Sequence, residues 1–246
     1  MKQKKERLGL RISKKIINAL KQKRISLKRP KENPIYESFE VLKTFKGNYK
    51  DFEEYLNSQN TIGIILGARG KGKSVIGMKL LENLKPSRNK SAIGFPKVYL
   101  PLWITHIEDI NEIQNNSHLL IDESGINFNS RESMSNINKL FSKILFISRH
   151  KSLSITLVTQ NSSNIDVNAI RQADYLILKP SALLQKDFER KKIQEIYNNV
   201  QDHFDEYKND KRVAYIYSDQ FIGFVKNKLP SFWNDNLSKS FAGFKE

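Results

Sequence analysis

Residues 67–74 read Gly-Ala-Arg-Gly-Lys-Gly-Lys-Ser, a G-x-x-x-x-G-K-S spacing whose chemistry is the holding of phosphate. Glycines at the bends let backbone N–H groups turn inward around an anion with no Cβ in the way. A helix beginning at Lys73 aims the positive end of its dipole at the same anion. On this reading Gly67, Ala68, Arg69, Gly70, Lys71, Gly72, Lys73, Ser74 and Val75 form an ATP-binding loop. Lys73 reaches the β- and γ-phosphates, and Ser74 is a ligand for Mg2+. Arg69 and Lys71 serve as local phosphate or surface cations.

A second group lies about 50 residues on. In His-Leu-Leu-Ile-Asp-Glu-Ser (118–124) an apolar run ends in Asp122 and Glu123. A carboxylate at the end of a strand supports Mg2+, so Asp122 is the expected metal partner of Ser74. Glu123 is placed to polarise the attacking water. A third run, Ser-Ile-Thr-Leu-Val-Thr-Gln (154–160), puts Gln160 at its tip, where an amide can contact the γ-phosphate or the water. Arg149 precedes this run, and Arg131 follows the Asp-Glu turn. Either has the chemistry of an arginine finger reaching into a neighbouring subunit, and Arg149 is preferred for its closeness to the Gln160 strand.

What is missing narrows the class. The guanine-selecting N-K-x-D of a small GTPase does not follow the loop, and no arginine-rich lid of a nucleotide kinase is evident. Lys71 lies two residues before Lys73, which is not the early lysine of a partitioning ATPase. The chain has no cysteine, which excludes disulfides, zinc–thiolate sites and thiol catalysis. His106, His118, His150 and His203 have no metal spacing. The Asp-Glu pair favours an ATPase of the additional-strand, catalytic-glutamate type.

The elements needed to position these groups are legible as an alternation of strands and helices. TIGIIL (61–66) reads as a buried strand and VIGMKLLENL (75–84) as a helix. VYLPLWI (98–104), interrupted by Pro101, HLLID (118–122), SITLVTQ (154–160) and DYLILKP (174–180) read as further strands. DFEEYLNSQ (51–59), residues 133–147, 166–173 and a charged stretch at 181–208 read as helices. Residues 213–219 and 221–227 read as a hairpin, and the last 20 residues carry no assignable element. The expected fold is α/β, a mainly parallel sheet flanked by helices, extended by a C-terminal helix and hairpin.

Charge is unevenly placed. Of 42 Lys and Arg, 13 lie in the first 31 residues, with one of the 26 acidic residues. The formal charge of +16 is therefore mostly an arm on a nearly balanced body. Such an arm suits a polyanion, nucleic acid or an anionic membrane surface. Leu8, Ile12, Ile16, Ile17 and Leu20 fall at helical spacing within it. The expected division is a basic arm (1–34), one ATPase domain (35–230, with its core at 60–180 and the helix and hairpin at 181–230) and a tail (231–246). No apolar run approaches the length of about 18 residues that a membrane helix needs. No secretory signal is expected, since no apolar core follows the first cations, and a cytoplasmic location is expected.

Taken together, GARGKGKS, LLIDESGINFNSR and RHKSLSITLVTQNSSNIDVNAIRQADYLILKP resemble the FtsK/HerA superfamily of P-loop ATPases. Within it they look most like viral genome-packaging ATPases of archaeal and membrane-containing viruses, and like Zot-type phage proteins. The resemblance covers residues 60–180. It implies a ring, usually a hexamer, that pulls double-stranded DNA through a central channel, with a capsid or membrane-vertex protein as a docking partner. It also implies that Lys73 and Ser74 bind Mg-ATP, Asp122 supports Mg2+, Glu123 activates water and Gln160 senses the γ-phosphate. The loop at 126–136 faces DNA by the same analogy. Ser124 stands where many members have alanine, with no role assigned. A Zot-like assembly ATPase and a plasmid or cellular HerA-like translocase are the alternative functions.

Overall fold

The computed structural model of the chain describes residues 29–125, 133–182, 186–207, 210–234 and 236–237. The apolar-spaced part of the basic arm (8–20), Arg131 and most of the loop at 126–136 lie outside the described residues.

Apolar, β-branched runs become the middle strands of the sheet. They are β2 (Ile62–Leu66), β5 (Ser117–Asp122), β6 (Ser154–Val158) and β7 (Tyr175–Leu178), with hardly an exposed residue among them. Three further strands are β1 (Glu40–Gly47), β3 (Asn89–Ile93) and the short β4 (Thr105–His106). The hairpin is β8 (Val213–Ser218) and β9 (Phe221–Lys226). All nine form one sheet in the order β1-β9-β8-β7-β2-β6-β5-β3-β4. From β7 to β4 every pairing is parallel, whereas β8, β9 and β1 add on antiparallel.

The helices are α1 (Tyr49–Ser58), α2 (Lys73–Asn83), α3 (Ser133–Lys151), α4 (Val167–Arg171) and α5 (Lys191–Glu206). Alternate residues of β2 choose sides, as a strand's two-residue period requires. Ile65 packs with Phe52 and Leu56 of α1 and Ile76 and Leu80 of α2. Ile64 and Leu66 pack with Ile144 of α3 and Ile193, Tyr197 and Val200 of α5. The molecule is thus a three-layer α/β fold with the middle strands of its sheet buried on both sides, as the alternation in sequence requires.

Several sequence expectations are corrected. VYLPLWI is not a strand: a 3-10 turn (Lys97–Tyr99) leads into a loop in which Leu100 and Ile104 are buried. The carbonyls of Leu100, Pro101 and Ile104 accept from the Arg29 guanidinium rather than from a sheet neighbour. The strands in that part of the chain are the two-residue β4, directly after this run, and the polar β3 before it, where Lys90 sends its ammonium to the Leu84 carbonyl and over the Trp103 ring. β1 has no counterpart among the expected strands; two register shifts along it break the alternation that marks a strand. The helix expected over 181–208 starts later, at Lys191.

The segment leading to β1 is strapped onto α2. Lys79 and Glu82, both buried on that helix, pair at 2.7 Å. Lys79 also donates to the Ile35 carbonyl, and Glu82 accepts from the backbone N–H of Ile35 and of Ser231. Asn83 holds Glu37 in both directions, donating to its carbonyl and accepting from its N–H. One buried ion pair and one amide therefore gather both flanks of the core onto a single helix.

At the other end of the parallel strands, Gly63 of β2 faces the fully buried Tyr175 ring of β7. A Cβ on Gly63 would meet that ring at 1.9 Å. Thr156 and His118 extend this buried group by hydrogen bonds of 2.6 and 2.7 Å. Burial pushes His118 down to about 3, so it is neutral packing rather than a ligand. Gly63→Ala should therefore destabilise the protein by roughly 1–3 kcal/mol, the range for overpacking a filled core. Urea unfolding against the wild type measures it; an unchanged midpoint would show that the ring moves aside freely.

Candidate nucleotide site

The loop between β2 and α2 gathers the first group of candidate residues at the carboxyl ends of the parallel strands. Gly72 caps α2 in the left-handed conformation (φ 85°), and Gly70 is left-handed too (φ 74°). A side chain on Gly70 would meet nothing within 4 Å, so Gly70 is there for its backbone angle rather than for close packing. Gly67 is different: a Cβ there would lie 2.6 Å from the Lys179 Cβ, because the loop's first residue rests on the end of β7. The Ala68 N–H donates to the Pro180 carbonyl at 3.0 Å from the same side.

Lys73 is buried and curls back over the loop, its Nζ donating to the carbonyls of Gly67 (2.7 Å) and Ala68 (3.0 Å). Burial lowers its pKa, and the charges of Asp122 and Glu123 partly oppose that shift. The first turn of α2 contains no acidic residue to compete for an anion. Ser74 Oγ donates to Asp122 Oδ2 at 2.5 Å, so these two residues, 48 apart in sequence, meet at the end of β5. Asp122 is buried, which raises its pKa; hydrogen bonds from Ser124 and Ser74 and the charge of Lys73 pull the other way. The second oxygen of Asp122 accepts from both the N–H (3.1 Å) and the Oγ (2.6 Å) of Ser124. Ser124 thus orients the carboxylate that touches Ser74, a task its residue type alone does not reveal.

Glu123 opens a 3-10 turn (Glu123–Gly125), and its carboxylate accepts from the Thr159 hydroxyl. Thr159 directly follows β6, and its N–H donates to the Ile65 carbonyl at 3.0 Å. Sequence reasoning misses this threonine; its signal is the place between a buried strand and Gln160. Gln160 is exposed at the tip of the β6 strand. Because β6 lies between β2 and β5, Gln160 stands between the loop and the Asp-Glu pair. That inserted strand is the additional strand of the expected fold. Arg69 is exposed on the loop. Arg149 falls within α3, its side chain outside the described residues.

The donor set fits a phosphate–Mg2+ group. A hydroxyl and a buried carboxylate already converge at 2.5 Å, as two oxygen ligands of a hard cation would, and a lysine lies in the loop beside them. Among the described residues no cluster of three or more His, Asp or Glu could hold a metal by itself. Mg2+ here would therefore depend on substrate phosphate for further ligands.

No family model and no curated protein matches the sequence. The fold is similar to solved structures. One is the genome packaging NTPase B204 from Sulfolobus turreted icosahedral virus 2 in complex with ATP-gammaS. It is 16% identical with a TM-score of 0.43, over 69% of this chain and 98% of that one. Another is the N-terminal domain of zonular occludens toxin from Neisseria meningitidis, at 15% identity and a TM-score of 0.33, over 49% and 77%. A third is the pCW3 conjugation coupling protein TcpA, at 12% and 0.48, over 85% and 71%. The likeness is one of fold alone.

Lys73→Met tests the loop. It should reduce binding of a fluorescent ATP analogue by at least about 100-fold, the effect of removing a charge-assisted hydrogen bond to phosphate. The unfolding free energy should stay within roughly 1 kcal/mol or rise, because the lysine is a desolvated cation on two neutral carbonyls. Retained binding in a folded variant would move the phosphate site elsewhere.

Proposed function

We propose that the protein is a Mg-ATP-hydrolysing motor that moves double-stranded DNA, with viral genome packaging as the specific task. One observation carries the enzymatic part: Lys73, the Ser74–Asp122 pair and the Thr159–Glu123 pair meet at the carboxyl edge of three adjacent strands. The DNA part is supported by the arm, with 13 of the first 31 residues basic, and by the resemblance of residues 60–180 to packaging ATPases.

The chemistry follows from the side chains. The loop's backbone and Lys73 hold the β- and γ-phosphates and neutralise charge on the γ-phosphoryl group as it transfers. Ser74 and Asp122 would hold Mg2+, which when bound screens the phosphate oxygens. Glu123, fixed by Thr159, takes a proton from water as the water oxygen attacks the γ-phosphorus and the bond to the bridging oxygen of ADP breaks. Gln160, on the strand between, positions that water or the γ-phosphate. An arginine from a neighbouring copy, Arg149 or Arg131, completes the site in a homo-oligomeric ring. Among the described residues no helix is long and apolar enough to cross a membrane. In this reading the motor works in the cytoplasm and docks transiently on a capsid.

Steady-state ATPase activity with and without double-stranded DNA tests the reading, with Lys73→Ala as the inactive control. DNA should stimulate the wild type severalfold. Glu123→Gln should keep nucleotide binding while lowering kcat by about 10²–10⁴-fold, the usual weight of a general base. Wild-type turnover by the Gln variant would remove Glu123 from the mechanism. Activity indifferent to DNA would favour the Zot-like alternative, an ATPase directed at a protein assembly.

Deleting residues 1–28, which leaves the Arg29 clamp in place, tests the arm. DNA affinity should fall, and the slope of log K against log salt should flatten by about 0.9 for each phosphate that the arm neutralises. An unchanged slope would assign the arm to a capsid, a membrane surface or solubility.

A further inference from the structure

Lys179 is a buried lysine that the site described above does not use. It directly follows β7, and its backbone N–H donates to the Leu66 carbonyl at 2.8 Å, the last residue before the phosphate loop. Its own carbonyl accepts from the buried Tyr197 hydroxyl of α5 at 3.0 Å. The side chain is completely enclosed. Its Nζ donates to the carbonyls of Lys211 and Val213, each at 3.0 Å, with Asn227 Oδ1 further off at 3.4 Å. These acceptors open β8 and follow β9, so Lys179 ties the hairpin to the rest of the core.

The same residue underlies both ends of the phosphate loop. Gly67 rests on its Cβ and carbonyl. Gly72 has the Lys211 carbonyl 3.0 Å from where a Cβ would lie, and the Lys179 Cε and Nζ at 3.9 Å. A buried ammonium with only neutral oxygens as hydrogen-bond partners is poorly compensated. The triphosphate that the proposed function places in this loop is an anion on the other side of Gly72.

We infer that Lys179 is a positioning residue through which nucleotide in the loop is felt by the C-terminal hairpin. The anion favours the charged ammonium, and the charged ammonium draws the Lys211 and Val213 carbonyls, and with them β8, toward Gly72. The inference rests on the nucleotide-binding reading.

Burial pushes Lys179 down to about 7, which makes the link visible as a proton. The titratable groups facing it are Tyr197 on α5, bonded to its carbonyl, and Asp210 before β8; Asp210 is already paired with Arg212 and Lys226. An anion raises the pKa of Lys179 in the bound state. Affinity is then fully enhanced below pH 7 and falls as pH rises through the bound-state value, by at most tenfold per pH unit for one proton.

The experiment is titration calorimetry of a non-hydrolysable ATP analogue with Mg2+, from pH 6.5 to 9, in two buffers of different ionisation enthalpy. It is run on the wild type, Lys179→Met and Lys179→Arg. The wild type should take up protons beyond what the analogue itself contributes, with affinity falling as pH rises. Lys179→Arg, always charged, and Lys179→Met, never charged, should both lack that excess. Above pH 7, hydrogen exchange of β8 amides should slow on nucleotide binding in the wild type, but not in Lys179→Arg, whose charge is constant, nor in Lys179→Met, which has none. Equal pH dependence in all three, or no excess proton uptake in the wild type should the variants not fold, overturns the inference alone. A wild type that binds no nucleotide at any pH overturns the nucleotide reading with it.

Discussion

The phosphate loop keeps its shape because backbone is pressed against backbone beneath it. Gly67 lies on the end of β7, Ala68 is bonded to Pro180, and Gly72 abuts the carbonyl of Lys211. The loop gains little from side-chain packing above, where a Cβ on Gly70 would meet nothing within 4 Å. Its rigidity has to come from below, from the buried strands β2 and β7 and from the hairpin that follows them. Lys73 and Ser74 depend on that floor, because they start the helix that leaves it.

The order of strands then distributes the chemistry. β2 delivers the loop, β5 delivers Asp122 and Glu123, and β6 between them delivers Thr159 and Gln160. Parallel strands point their carboxyl ends the same way, so groups far apart in sequence reach one edge with no help from long loops. Ser74 and Asp122 are 48 residues apart and in hydrogen-bond contact. The supports are as local as the reactive groups: Ser124 sets one carboxylate, Thr159 the other.

Much of this was legible in the sequence where burial is uniform. The runs at 61–66, 118–122, 154–160 and 174–180 are apolar because both of their faces are covered, and each became a strand within a residue or two at most points. Legibility failed where covering is done by something other than periodicity. β3 is polar because Lys90 caps α2 and lies over Trp103, so a central-sheet neighbour reads as a loop. VYLPLWI is apolar because it packs beside that edge, and its carbonyls are satisfied by Arg29 from far upstream. β1 is an edge strand with two register shifts, and such shifts erase the two-residue pattern. At the candidate site the juxtaposition of Lys73, Ser74, Asp122 and Glu123 was readable because their types and spacing follow a phosphate-binding pattern. Thr159, Ser124 and Lys179 were not, because their importance lies in what they touch.

The strap across α2 gives the molecule a mechanical character. The described chain enters at Arg29, clamped to three carbonyls, and then crosses α2 through Lys79, Glu82 and Asn83 before joining the sheet as β1. Tension at Arg29 therefore bears first on the 100–104 loop that precedes β4, and next on the helix whose opening residues are Lys73 and Ser74, through a buried ion pair that also holds Ser231. The point at which the described chain enters and the helix that opens with Lys73 and Ser74 are thus coupled mechanically through buried contacts.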